Sequence, residues 1–546
     1  MVRRVAIIGA GVSGLASIKC CLDEGLEPTC FEQSQDIGGV WRYTDSMDDG
    51  RVSVYRSVIT NTSKEMSCFS DFPCPEDFPN YLPHVLLLEY FRMYARHFDL
   101  LRHVRFKTTA LSVKKRLDFA TSGQWEVVTE TDGVQEYHVF DAVMVCTGHY
   151  QEPYLPLASF PGIDTCFKGQ YLHSREYKDV EAFRGKRVLV VGLGNTGGDL
   201  SVELSRVAAK VFLSARSSTW VLSRVSDHGF PLDMVNTTRF NHFLDWLLPS
   251  ALTKRIRFWK CNSWFNHTNY GLASTKSSDF KIILNEELPF CLLSGTVVLK
   301  PKVKEFAESS AVFEDGTTEE NIDVVLFATG YIFTFPFLEE SVRSLFDDNR
   351  SLYKRIFPPQ LEKPTLAIIG LVQLTGSVMV GAEMQARWVT GIFAGQNKLP
   401  PSSRMMADVL KKKPLVKRNP SKRENLKISF LSYIDEIASC AGVKPSVLRL
   451  LLTDPRLALA VFFGPCTPYQ YRLVGQGKWS GARDAILTQW QRTLKPLRTR
   501  VVDDSSNGSD GWRWMCLLAL PLALTGGFLL SKYPWLGWSP RARPQL

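Results

Sequence analysis

A chain of 546 residues is longer than one ordinary domain core, which sets two or three domains as the expectation and excludes a small binding module. With 45% hydrophobic, 12% aromatic and 22% charged residues, the composition is that of a packed globular protein rather than a collagen-like or disordered one. The balance of 65 Lys and Arg against 55 Asp and Glu gives +10, too dilute over this length to argue for nucleic acid and in keeping with an anionic cofactor or a membrane surface.

The N-terminal arginines and apolar run resemble a secretory signal only briefly, because glycines interrupt the run at once. Val5 to Ile8 instead reads as a buried strand. It ends in Gly9-Ala10-Gly11-Val12-Ser13-Gly14 and continues into a helical pattern closed by Gly25. Gly9 permits a tight turn, Gly11 lets backbone N–H groups approach a pyrophosphate, and Gly14 allows the helix to pack close to the strand. A second strand over Pro28 to Phe31 ends at Glu32, where an acidic residue accepts from a ribose 2′-hydroxyl.

The same unit recurs downstream. Arg187 to Val191 predicts a strand, Gly192-Leu193-Gly194-Asn195-Thr196-Gly197-Gly198 the turn, a stretch through Leu204 the helix, and Val211 to Leu213 the next strand. Here Ser214 and Arg216 stand where the acidic residue would, with Arg224 further on. A guanidinium suits a 2′-phosphate that a carboxylate would repel. The first cradle therefore reads as an FAD site and the second as an NADPH site. Val143 to His149 and Val324 to Tyr331 are each a buried strand ending in Thr-Gly, and they read as the junctions of an NADPH domain inserted into an FAD domain. Leu366 to Leu371 predicts one more strand, followed by Gly376 and a helix through Trp388 whose positive end would suit a flavin carbonyl.

Between the cradles, Phe167, Gly169, His173 and Tyr177 fit F-x-G-x-x-x-H-x-x-x-Y. With the two turns in this order, and with Ile37-Gly38-Gly39-Val40-Trp41, the segment Thr60 to Met66 and Phe327 to Tyr331, the chain resembles the flavin-containing monooxygenases of the animal microsomal class over nearly its whole length. The related Baeyer-Villiger enzymes carry Trp in place of Tyr177. The resemblance implies an α/β fold of two nested Rossmann-like dinucleotide-binding domains plus a C-terminal membrane anchor. The expected parts are an FAD-binding domain over 1–153, an NADPH-binding domain with a substrate-region insertion over 154–330, a second FAD part over 331–445, a C-terminal region over 446–510, and an anchor with a basic tail over 511–546.

It also implies that Gly9, Ala10, Gly11, Val12, Ser13, Gly14, Glu32, Val40, Trp41 and Thr62 line FAD, and that Thr60, Asn61, Asn195, Thr196, Gly197 and Gly198 contact NADP. Thr196 replaces the family's serine. Leu374-Thr375 replaces an expected Pro-Leu, which puts the local path beside the flavin in question. In the implied chemistry NADPH reduces FAD, O2 adds to give a C4a-hydroperoxide, and a soft nitrogen or sulfur nucleophile takes the distal oxygen, so the enzyme needs no nucleophile of its own. Asn61 is the candidate active-site residue, because its amide both donates and accepts. His173 reads as an interdomain hydrogen-bonding residue rather than a general base. Ketone oxygenation and uncoupled release of peroxide stay open as alternatives. A disulfide reductase finds no cysteine over residues 41–60. No Cys or His grouping has metal-ligand spacing.

Phe243, Trp246, Trp259 and Trp264 lie in a segment from Asp227 to Pro289 that offers a pocket wall, although aromatics at this density read more often as core. Lys411 to Arg423 reads as a solvated basic loop. Trp514 to Ser531 carries no charge, and eighteen residues at 1.5 Å rise give roughly 27 Å, enough for a membrane anchor. The expected location is the endoplasmic reticulum membrane with the catalytic domains facing the cytosol. Val447 to Phe463 is a candidate second membrane-contacting surface. Self-association as a homo-oligomer stays open on this sequence.

Overall fold

Apolar β-branched residues on both faces place the run from Val5 to Ile8 at the centre of a parallel sheet. In the computed structural model, which describes residues 2–45, 51–273, 281–345, 351–412 and 426–500, the strand Arg4–Ile8 lies between Glu27–Phe31 and Ala142–Val145. Leu366–Ile368 and Val104–Arg105 close the two ends of this five-stranded sheet. The expected strand to Leu371 stops at Ile368, because Gly370 takes φ +80° and turns the chain. A second five-stranded parallel sheet runs in the order Val297–Lys300, Lys210–Ser214, Arg187–Val191, Val324–Phe327, Gln170–His173.

All strands of the second sheet fall in sequence between two strands of the first, Ala142–Val145 and Leu366–Ile368. The outgoing and returning segments, Glu152–Pro153 and Tyr331–Ile332, pair antiparallel, so both crossings are made by one short ribbon. The described residues up to Pro496 pack as one compact unit. The expected span from Trp514 to Ser531 and most of the basic stretch, residues 413–423, lie outside the described residues. Among the described residues no helix is long and apolar enough to cross a membrane.

The chain beyond residue 426 is tied to the first nucleotide fold by buried ions. Arg472 reaches Asp71 at 2.8 Å and Glu383 at 2.9 Å, while Lys19 meets Asp71 at 2.6 Å from the first helix, Val12–Asp23. Arg492 pairs with the fully buried Glu65 at 2.5 Å.

One expectation fails. Phe243, Trp246, Trp259 and Trp264 are not core: Trp246 is 77% and Trp259 71% exposed, and the other reading, a pocket wall, fits Trp259 and Trp264. Their helices, Arg239–Leu247 and Ser250–Cys261, mix apolar with polar and charged side chains, and of their residues only Arg239 and Cys261 are buried. Beside them lie Val447–Thr453 and Pro455–Phe463, with the rings of Phe240 and Phe463 5.1 Å apart, and these helices leave Leu448 78% and Leu452 87% exposed.

Candidate active site

The two glycine turns are built alike. Gly9 and Gly192 take φ +100° and +111°, a region that favours glycine. A Cβ on Gly14 would lie 1.9 Å from the Gly9 carbonyl oxygen, and one on Gly197 1.9 Å from that of Gly192. Each helix therefore starts pressed against the exit of its strand, with its N-terminal amides aimed outward. Gly11 faces Gly39, where an added Cβ on Gly39, at φ +54°, would meet the Gly11 Cα at 3.2 Å.

Charge differs between the cradles as their sequences predict. Glu32 is buried at the end of Glu27–Phe31, where Oε2 accepts from the Ala10 N–H at 2.7 Å and Oε1 from the Ser34 N–H at 2.9 Å. In the second cradle Ser214 donates to the Pro301 carbonyl at 2.9 Å. Arg216 is exposed on the wall of the cleft, and its guanidinium makes no hydrogen bond or ion pair among the described residues.

Both turns open onto one cleft of about 2970 Å³. Gly9, Gly11, Val12, Ser13, Glu32, Val40, Trp41, Thr60, Asn61, Thr62, Asn195, Thr196 and Arg216 all line it, as do Gly376 to Met379 at the start of the helix Val378–Phe393. Ala10, Gly14, Gly197 and Gly198 stand behind this surface and shape its backbone. At the Leu374-Thr375 departure, Gln373–Leu374 pairs with Lys427–Ile428 and the Thr375 hydroxyl accepts from the Phe430 N–H at 3.2 Å, so the local path is held by a small parallel ribbon.

The segment bearing Asn61 is clamped on both sides. The Thr60 hydroxyl accepts from the Leu82 N–H at 2.9 Å, and the Thr62 hydroxyl meets that of Ser67 at 2.5 Å. Arg224, expected beside the 2′-phosphate, is directed elsewhere. It is 5% exposed, its Nε and Nη2 donate to Asn61 Oδ1 at 3.1 and 2.8 Å, and its Nη1 donates to Glu286 at 2.9 Å. It does not line the cleft. A buried guanidinium stays with its acceptors, and Asn61, Glu286 and Asp199 surround this one.

Sequence reasoning missed Asp199, Glu286 and Asp233, since nothing in their spacing joins positions so far apart in the chain. Asp199 accepts from the Tyr55 hydroxyl at 2.9 Å, and burial raises its carboxyl above the ordinary range against the pull of Arg224. Asp233 lines the cleft and accepts from the Ser63 N–H at 2.7 Å. Burial pushes its carboxyl up to about 6, although Ser63 draws it down.

A carboxyl raised on folding stabilises the protein while protonated. Its contribution is full below the ordinary range of about 4 and is lost as pH rises through about 6. Asp233→Asn should therefore raise stability by on the order of 1–3 kcal/mol at pH 8 and by much less at pH 5, read as unfolding midpoints. An equal effect at both pH values would contradict a charged Asp233 at neutral pH.

The motif between the cradles is structural in detail. A Cβ on Gly169 would lie 2.4 Å from the tip of the Phe167 ring and 2.7 Å from the Asp323 carbonyl oxygen. His173 ends the edge strand of the second sheet, fully buried. Arg175 N–H donates to its Nδ1 at 3.1 Å, so Nε2 carries the proton and donates to the Gly330 carbonyl at 2.9 Å. That bond grips the returning crossing. Tyr177 packs edge-on to Tyr55 at 5.9 Å, joining the second fold to the segment that leads to Asn61.

Residues 2–532 match the model of the flavin-binding monooxygenase-like family. The chain belongs to that family. It is 56% identical over 533 residues to human dimethylaniline monooxygenase [N-oxide-forming] 4, covering 97% of this chain and 95% of that one. It is 54% identical over 528 residues to the rabbit enzyme of the same name numbered 2, covering 96% and 98%. The fold matches S-allyl-L-cysteine S-oxygenase from Allium sativum with a TM-score of 0.60 at 24% identity, over 90% of this chain and 99% of that one. A second match is the OTEMO complex with FAD and NADP, TM-score 0.56 at 17% identity, over 75% and 89%. This family member is a flavin-containing monooxygenase. The two cradles suit dinucleotides: in each the helix packs against its strand at a glycine where a Cβ would clash, and Gly11 and Gly194 add no side chain to the turn facing the cleft.

Proposed function

We propose that the protein oxygenates soft nucleophilic nitrogen and sulfur atoms of small molecules, with NADPH and O2 as co-substrates. The observation that carries the reading is the single cleft onto which both glycine turns and the Thr60 to Thr62 segment open. The names of its relatives, N-oxide-forming and S-oxygenase, support both heteroatoms. In this reading Gly9 to Gly14 and Glu32 hold FAD, with Val40, Trp41 and Thr62 against it. Thr60, Asn195 and the turn to Gly198 hold NADPH. Together the cofactors supply hydride and activated oxygen. The chain's own task is to orient them, exclude water and present a donor, the Asn61 amide, where oxygen is activated. A substrate lone pair takes the oxygen atom, so no side chain forms a covalent bond to it.

Arg216 takes the 2′-phosphate, because it is the cleft-facing guanidinium of the second cradle that is not already paired among the described residues. Arg216→Ala should raise KM for NADPH at least tenfold and leave that for NADH within about twofold, in steady-state assays with each nucleotide. Equal losses would place the phosphate elsewhere.

The location we infer is the endoplasmic reticulum membrane with the catalytic unit in the cytosol, by the segment from Trp514 to Ser531 and by a second surface. Trp246, Leu448 and Leu452 are exposed on the helices of this surface, with the exposed Arg449 and Arg456 beside them in the chain, a composition suited to an anionic lipid interface. A chain ending at Asp510 should still sediment with membranes and be released when those three apolar residues become Ser. Complete release of the truncated chain at low salt would leave the C-terminal segment as the sole anchor. The reading of activity is tested by aerobic turnover of tertiary amines, thioethers and ketones, with oxygenated product and peroxide both measured. Ketone esters alone, or peroxide alone, would replace it.

A further inference from the structure

We propose that Arg224 is a positioning residue that decides which end of the Asn61 amide faces the cleft, an inference that rests on Asn61 acting in that cleft. A guanidinium can only donate, so two of its N–H groups converging on one atom of Asn61, at 3.1 and 2.8 Å, fix that atom as the carbonyl oxygen. The amide N–H2 is then the end turned away from Arg224, and it has no partner among the described residues although Asn61 lines the cleft. A flipped amide would set donors against donors.

Arg224 is itself held from both folds. Glu286 accepts from Nη1 at 2.9 Å and Asp199 lies 3.8 Å from Nη2, both on the NADPH side. On the other side the Tyr81 hydroxyl donates to the Arg224 carbonyl at 2.6 Å. At 5% exposure the charge has nowhere else to go. The clamp therefore reaches from the second nucleotide fold to the donor that the first one carries, and the donor is correctly turned only while the two are together.

The test is a double-mutant cycle on the flavin-loaded, full-length enzyme, using Asn61→Ala, Arg224→Met and both. Flavin absorbance is titrated with NADP+ and separately with adenosine 2′,5′-bisphosphate, which carries the phosphate but no nicotinamide. NADP+ affinity should fall about tenfold in each single variant and no further in the double one, while the bisphosphate binds all four proteins within about twofold. Oxygenated product per NADPH consumed should follow the same pattern with an aryl methyl thioether. Losses that multiply in the double variant would overturn the proposal. Loss of bisphosphate binding in Arg224→Met would also overturn it, returning Arg224 to the phosphate. Should Arg224→Met lose its flavin, Glu286→Gln replaces it in the cycle: a two- to fivefold loss for NADP+ that vanishes on the Asn61→Ala background supports the clamp, and no loss overturns it. A wild type that binds as expected but makes no sulfoxide would refute the proposed activity and leave the clamp decided by the titrations.

Discussion

Asn61→Asp should lower oxygenated product per NADPH by about 10²-fold or more, with the missing oxygen recovered as peroxide. The carboxylate keeps the shape of the amide and still accepts from Arg224, so the segment from Thr60 to Ser63 stays clamped. What disappears is the only donor on that side chain, and a negative charge replaces it beside an electron-rich flavin. Reduction of the flavin by NADPH in the absence of O2 should stay within about threefold of wild type, because the second cradle is untouched. Stopped-flow reduction together with product and peroxide assays separates the two steps. Normal coupling in this variant would remove Asn61 from the chemistry.

Arg472→Met should be the most damaging change away from the cleft, at about 3–5 kcal/mol in unfolding free energy. Arg472 is 2% exposed and lies between Asp71 and Glu383, so removing it leaves two buried carboxylates with Lys19 in contact with Asp71 alone and the partly buried Arg387 acting on both only from further off. The pH dependence gives the sign. Burial alone would raise Asp71, but Arg472 and Lys19 outweigh it and hold the carboxyl below the ordinary range. In the wild type that stabilisation is present above about pH 4 and lost as pH falls through the lowered value. In Arg472→Met protonation of the stranded carboxylates becomes favourable, so the deficit against wild type should shrink between pH 7 and pH 5. Denaturant unfolding at the two pH values checks it, and a deficit that grows on acidification would contradict this account.

What was legible in the sequence was what local physics sets. Gly9, Gly14, Gly192 and Gly197 announce themselves because a strand exit, a turn and a helix start are contiguous, and Glu32 follows at one strand's length. Arg216 stood in the acidic residue's place and Arg224, eight positions further on, was the second candidate for the same phosphate. Arg224 turns instead to Asn61, 163 residues away, and no pattern in one chain signals that. The ties from Arg472 to Asp71 and from Arg492 to Glu65 were invisible for the same reason. The aromatic segment was misread because density alone does not reveal which way a helix faces: Trp246 and Trp259 are in helices that the rest of the unit covers only in part. The motif from Phe167 to Tyr177 was recognisable as a pattern, yet its meaning needed the ribbon at Gly330 and the ring of Tyr55 to be in place.

The central claim is that one cleft couples two nucleotides to oxygenation of a soft heteroatom. Its most direct test is the ratio of sulfoxide formed to NADPH consumed, in air, with the purified flavin-loaded enzyme and an aryl methyl thioether. The account predicts a ratio near one with NADPH and little peroxide. NADPH consumption matched by peroxide, with no sulfoxide or N-oxide from any member of a thioether and tertiary-amine series, would contradict it.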